Sequence, residues 1–129
     1  MLIVEQPGGT GGGGGGITDV FDVLQSVSNA DANITTSTTK NVTVLLAGLA
    51  ADHTLTFTGA EVGQRFRFKD TDGSLASGFT WTLTGLGTID GIASFKIAST
   101  SVRASRGGAV GAWGELSVIW DGSEFFVVG

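Results

Sequence analysis

Gln64–Asp70 reads QRFRFKD, and its apolar and basic residues alternate without a break. Phe66 and Phe68 fall on one side of an extended chain, and Arg65, Arg67 and Lys69 on the other. That period of two belongs to a strand with one face on a core and one in water. The same alternation runs outward in both directions. Upstream, HTLTFTG (His53–Gly59) places Leu55 and Phe57 opposite Thr54, Thr56 and Thr58, and VTVLL (Val42–Leu46) is a short apolar run. Downstream, FTWTLTG (Phe79–Gly85) groups Phe79, Trp81 and Leu83 on one face, followed by ASFKIAS (Ala93–Ser99) and ELSVIWDGSEFFVVG (Glu115–Gly129). Gly, Asp and Ser turns separate these runs, and Asp121-Gly122 reads as a two-residue type I′ hairpin turn. The pattern predicts an all-β domain over 34–129, an antiparallel sandwich or β-prism-like head.

The pattern changes before Ile34. Ile17, Val20, Phe21, Leu24 and Val27 are spaced i, i+3, i+4, i+7 and i+10, one face of a short amphipathic helix. Asp19 and Asp22 suit its first turns, where the helix dipole favours negative charge. Residues 17–33 are therefore predicted as helix plus connector, closed by SNADAN (Ser28–Asn33). Three turns of helix are marginal alone, so the apolar stripe must be covered, and these five residues are the expected subunit interface of a homotrimer.

Residues 1–16 are of a third kind. Gly8–Gly16 has glycine at every position but Thr10. Any run of six glycines satisfies G-x-G-x-x-G, which carries meaning only between a strand and a helix of a βαβ unit with an acidic residue following. No such unit follows, nor the Lys-Ser or Lys-Thr of a P-loop. The stretch reads as a ligand-free tether with a root-mean-square span of about 15–18 Å. Ahead of it, Leu2, Ile3 and Val4 form an apolar tip suited to anchoring on a partner's exposed sheet edge by strand addition.

Composition narrows the function. The formal net charge is −5, with 15% charged residues, one histidine and no cysteine. A nucleic-acid partner needs clustered Lys and Arg, and Arg103 with Arg106 is too little. The longest apolar run, VTVLLAGLAA (Val42–Ala51), is far short of a membrane span. MLIVEQP lacks a basic n-region and is too short for a signal peptide, which leads to an expectation of assembly in the producing cell's cytoplasm. His53 alone cannot furnish a triad or a histidine metal site; preceding an alternating strand, it reads as an exposed turn residue. DTDG (Asp70–Gly73) opens like a calcium loop, but the position of the closing Glu is Trp81; it reads as a hairpin turn. Asp90, Glu115, Asp121 and Glu124 show no paired spacing. No enzyme, metal or cofactor is expected. Of the tryptophans, Trp120 alternates with Val118 and Leu116 and belongs to the core, whereas Trp113, between glycines, is the candidate exposed ligand contact, a glycan included.

Four elements of the C-terminal two-thirds occur in a recognisable order: Lys69-Asp70 ending a strand, the alternating Thr80–Thr84, the Gly87–Gly91 turn GTIDG, and the hairpin from Ser117-Val118 through Asp121-Gly122 to Phe126-Val127. Over about residues 42–129 the chain resembles a module of bacteriophage fibre, head-spike and decoration proteins. It departs from that pattern by inserting TSVRASRGGAVGAW (Thr100–Trp113) before the hairpin. The resemblance implies a non-enzymatic homotrimer on a virion surface, attached to the major capsid or another virion protein. The lack of an internal repeat, and so of a fibre shaft, favours decoration or head spike over the alternative, a receptor-binding tip that recognises a cell-surface glycan.

Overall fold

A computed structural model describes residues 22–99, 107–109 and 111–129. Among these residues ten strands fill two five-stranded sheets. In chain order they are β1 Asp22–Ser28, β2 Ala32–Asn33, β3 Asn41–Ala47, β4 His53–Thr56, β5 Arg65–Asp70, β6 Trp81–Thr84, β7 Phe95–Ala98, β8 Gly107–Ala109, β9 Glu115–Trp120 and β10 Phe125–Val127. Sheet one has the order β10-β9-β5-β3-β1, and sheet two the order β2-β4-β6-β7-β8.

The first six strands alternate between the sheets, so the chain winds as stacked coils of one strand in each. Each coil lies parallel on the one before. Asp22 pairs with Asn41 and Val42 with Phe66 in sheet one; Ala32 pairs with Leu55 and His53 with Trp81 in sheet two. The antiparallel arrangement expected from the sequence is confined to β6–β7, β5–β9 and β9–β10. Alternation fixes which face each side chain takes and leaves strand direction open, because parallel and antiparallel strands share the same side-chain period. The DTDG segment is accordingly no hairpin. After Asp70 the chain makes a 3-10 turn at Ser74–Ser77 and crosses to the other sheet.

The helix expected within 17–33 is corrected over its described part: Asp22–Ser28 is strand β1, and no α-helix occurs among the described residues. Along it Val23, Gln25 and Val27 turn toward the core side, whereas Leu24 and Ser26 are exposed. Leu24 and Val27, placed on one helical face by the spacing, thus lie on opposite faces of a sheet. An isolated three-turn helix has no partner, whereas β1 gains a seven-residue ladder with β3 and buries Val27. Ile17, Val20 and Phe21 fall outside the described residues.

Inward residues of both sheets form one core. Phe57 stacks on Phe125 at 4.3 Å between ring centres and meets Phe66 edge-on at 5.0 Å, and Trp120 covers Phe125 at 4.6 Å. Trp81, Phe68, Leu55, Leu83, Val42 and Val44 complete the buried centre. Phe79, grouped with Trp81 by alternation, precedes the strand and is exposed.

Side chains seal the coil connections. Buried Gln64 accepts the Glu61 N–H at 2.9 Å and donates to the carbonyls of Ser37 at 2.9 Å and Lys40 at 2.8 Å. In the first coil Gln25 donates to the Asn33 carbonyl at 2.9 Å and accepts the Thr35 N–H at 2.8 Å. The closing hairpin forms, but around a four-residue loop: Trp120 pairs with Phe125. Asp121 Oδ1 accepts the N–H groups of Ser123 and Glu124, at 2.8 and 2.9 Å. That side-chain cap replaces the expected type I′ turn; Gly122 alone in the loop has positive φ.

Candidate functional site

Among the described residues the first coil ends the stack in both sheets, with β1 and β2 as their outer strands. The turn that joins them, 29–31, is built around His53, which begins β4. Asn29 has φ +46°, in the left-handed region that Asn tolerates better than most residues. Its Oδ1 accepts the Ala50 N–H at 3.0 Å, and Asp31 Oδ1 accepts the Thr54 N–H at 2.9 Å. The His53 ring lies between these two oxygens, Nε2 2.9 Å from Asn29 Oδ1 and Nδ1 3.0 Å from Asp31 Oδ1. Both oxygens are also held by backbone N–H donors, so the ring sits between two fixed groups. His53 also lies over Trp81, with ring centres 5.7 Å apart. The sequence suggested an exposed turn residue; instead it is a mostly covered strap between the first and second coils. Hydrogen bonds from the Thr54 backbone and from His53 hold the Asp31 carboxyl below its ordinary value.

Beside this strap lies an open groove of about 370 Å3, lined by Asp31, Ala32, Asn33, Thr54 and Thr56. Parallel register creates it. Asn33 stands next to Thr56, and the threonines continue onto the next strand as Thr54 beside Thr82 and Thr56 beside Thr84. Sequence reasoning placed these threonines on the solvent face but could not align them, because alignment depends on which strands neighbour each other and in what register. Asp31 carried no signal beyond membership of a turn.

Trp113, the candidate ligand contact, is 59% exposed and has φ +66°. Asp70 positions it: this buried carboxylate accepts the Trp113 N–H at 2.8 Å and the Leu75 N–H at 3.3 Å. Lys69 donates to the Trp113 carbonyl. The indole covers Gly73 so closely that a Cβ there would lie 2.5 Å from its Nε1. Asp72 in the same loop accepts the N–H groups of Gly48 at 2.8 Å and Ser74 at 3.0 Å. The aspartates of DTDG thus act as backbone acceptors that fix the loop.

On the outer face of sheet one, Arg65, Arg67 and Lys69 of β5 lie between apolar margins. Leu24 (61% exposed) stands on β1, and Phe126 (40%) with Val128 (48%) on the opposite side. Of the two described residues of the expected interface stripe, Leu24 is exposed and Val27 is in the core. The anchor Leu2, Ile3 and Val4 and the glycine tether lie outside the described residues. Among the described residues no group of three or more His, Cys, Asp or Glu side chains is gathered as metal ligands, and no helix is long and apolar enough to cross a membrane. No protein-family profile, curated protein or solved structure matches this chain.

Proposed function

We propose that this chain is a structural protein of a virion surface, a decoration or head-spike subunit that associates as a homotrimer. In this reading it attaches to a capsid or other virion protein through Leu2, Ile3 and Val4 on the glycine tether, after assembly in the host cytoplasm. The observation that carries the reading is the outer face of sheet one, where Leu24, Phe126 and Val128 stand exposed in a chain with few charges. Exposed apolar side chains at both margins of one sheet face favour association, and a symmetric oligomer covers them with the chain's own surface. Attachment follows from the sequence, since an apolar tip on a glycine leash has nothing within its own stretch to bury against.

Light scattering of the native protein tests association. A mass near three times 13.1 kDa is expected, and a well-folded monomer at micromolar concentration refutes the trimer. Leu24→Asp should lower the mass without unfolding the chain, because Leu24 lies outside the core. Deletion of residues 2–7 should leave folding and mass unchanged while abolishing attachment to particles; unchanged occupancy refutes the anchor.

A further inference from the structure

The groove at the first coil combines acceptors and donors in a way that selects a ligand class. Asp31 Oδ1 is engaged by His53 and the Thr54 N–H, but among the described residues no hydrogen bond engages its second oxygen. The Asn33 side-chain amide and the Thr54 and Thr56 hydroxyls likewise make no hydrogen bond among the described residues, although the Asn33 carbonyl is taken by Gln25. One charged acceptor, one amide and two hydroxyls therefore line a single groove. Asp31 is fixed by two hydrogen bonds, and Asn33 and Thr56 stand at adjacent positions on paired strands. The volume lies within the range of ligand clefts, about 300–1,000 Å3.

Chemistry excludes the simpler occupants. Phosphate and other anions meet a carboxylate, and no cation lines the groove. A divalent cation would find one carboxylate, too little to replace its water shell. An apolar ligand would find only Ala32. What fits is a neutral molecule with several hydroxyls, each able to donate to Asp31 or Thr and to accept from Asn33 or Thr. We propose that this groove binds a neutral sugar residue of a glycan, with the threonine ladder through Thr82 and Thr84 extending the contact to a second residue. The proposal does not depend on how the chain is attached to a particle or on its oligomeric state.

Titration of the full-length, 15N-labelled protein tests it. The probes are glucose, galactose, mannose and N-acetylglucosamine with their β-linked disaccharides, followed by amide chemical shifts. At least one sugar should move the amides of 31–33, 54–56 and 82–84 with a saturable dependence, and its disaccharide should bind more tightly. The variants Asn33→Ala and Thr56→Val alter solvent-facing side chains. Each should weaken that binding about tenfold, the loss expected from one or two hydrogen bonds, with an otherwise unchanged spectrum. Shifts centred on Trp113 with the groove amides silent overturn the assignment. So do unchanged affinities in both variants, or no shift with any sugar up to its solubility. The particle-attachment assay on the arm deletion is a separate measurement, so either idea can fail alone.

Discussion

Replacing Gln64 should unlock the coil connections while leaving every strand residue in place. Its side chain makes three hydrogen bonds, one from Glu61 and one each to the Ser37 and Lys40 carbonyls, from a buried position. Each is worth about 0.5–1.5 kcal/mol net, and more where a truncated partner leaves a buried group unsatisfied. Water can reach part of this site and recover some of that loss, so Gln64→Ala should cost roughly 2–3 kcal/mol. Urea unfolding followed by tryptophan fluorescence reads it directly. With a slope of about 1–3 kcal/mol per molar, the midpoint should fall by about 1–2 M. Gln64→Glu separates hydrogen-bond identity from shape. It keeps the acceptor for Glu61 but points a carboxylate at two carbonyl oxygens, so at neutral pH it should be less stable than Gln64→Ala. Folding then disfavours the charged form and raises the carboxyl's folded-state pKa. Stability returns as the pH falls and a proton restores one donor. A loss below about 0.5 kcal/mol for Gln64→Ala, or a Gln64→Glu variant as stable as the parent at neutral pH, refutes the reasoning.

Two further perturbations follow from the loop geometry and the carboxyl hydrogen bonds. Gly85 has φ +110°, and a Cβ there would sit 2.5 Å from the Phe57 carbonyl oxygen, a backbone atom that cannot swing aside. Gly78 has φ +91° with open space around it. Gly85→Ala should therefore cost about 2–4 kcal/mol, and Gly78→Ala only the conformational part, about 1–2 kcal/mol; equal losses in thermal unfolding would show that the close approach is irrelevant. Acid sensitivity follows from three exposed carboxyls that folding holds below their ordinary value of 3.8: Asp31 by the Thr54 amide and His53, Asp72 by Ser74 and the Gly48 amide, and Asp121 by the amides of Glu124 and Ser123. Because the folded value is the lower one, the stabilisation is present above the ordinary value and disappears as the pH drops through the folded one. Tm should be level from neutral pH down to about 5 and fall below about 4, more gently in Asp121→Ala; an equally steep fall in that variant removes Asp121 from the account.

Alternation in the sequence was enough to determine the β class and to assign inward and outward residues. Phe66, Phe68, Leu55, Phe57, Trp81 and Leu83 are buried as the pattern required, and Trp120 belongs to the core. Those assignments are local, since a side chain's face depends on its parity along one strand. Direction and neighbour are not local. That β3 and β5 run parallel, or that Asn33 stands beside Thr56, depends on how the chain crosses between sheets. The coils differ in length, Asp22 pairing with Asn41 but Val42 with Phe66, so no fixed period marked them. Helical spacing at Leu24 and Val27 was real in the sequence and lost in the fold, because a seven-residue ladder with β3 outweighs a helix with nothing to cover it. His53 shows the same division. Its sequence neighbours suggested an exposed turn, and only the parallel register with Trp81, together with the turn at Asn29 and Asp31, encloses it. The groove is tertiary throughout, since Asp31 and Asn33 meet Thr54 and Thr56 only when the second coil settles on the first.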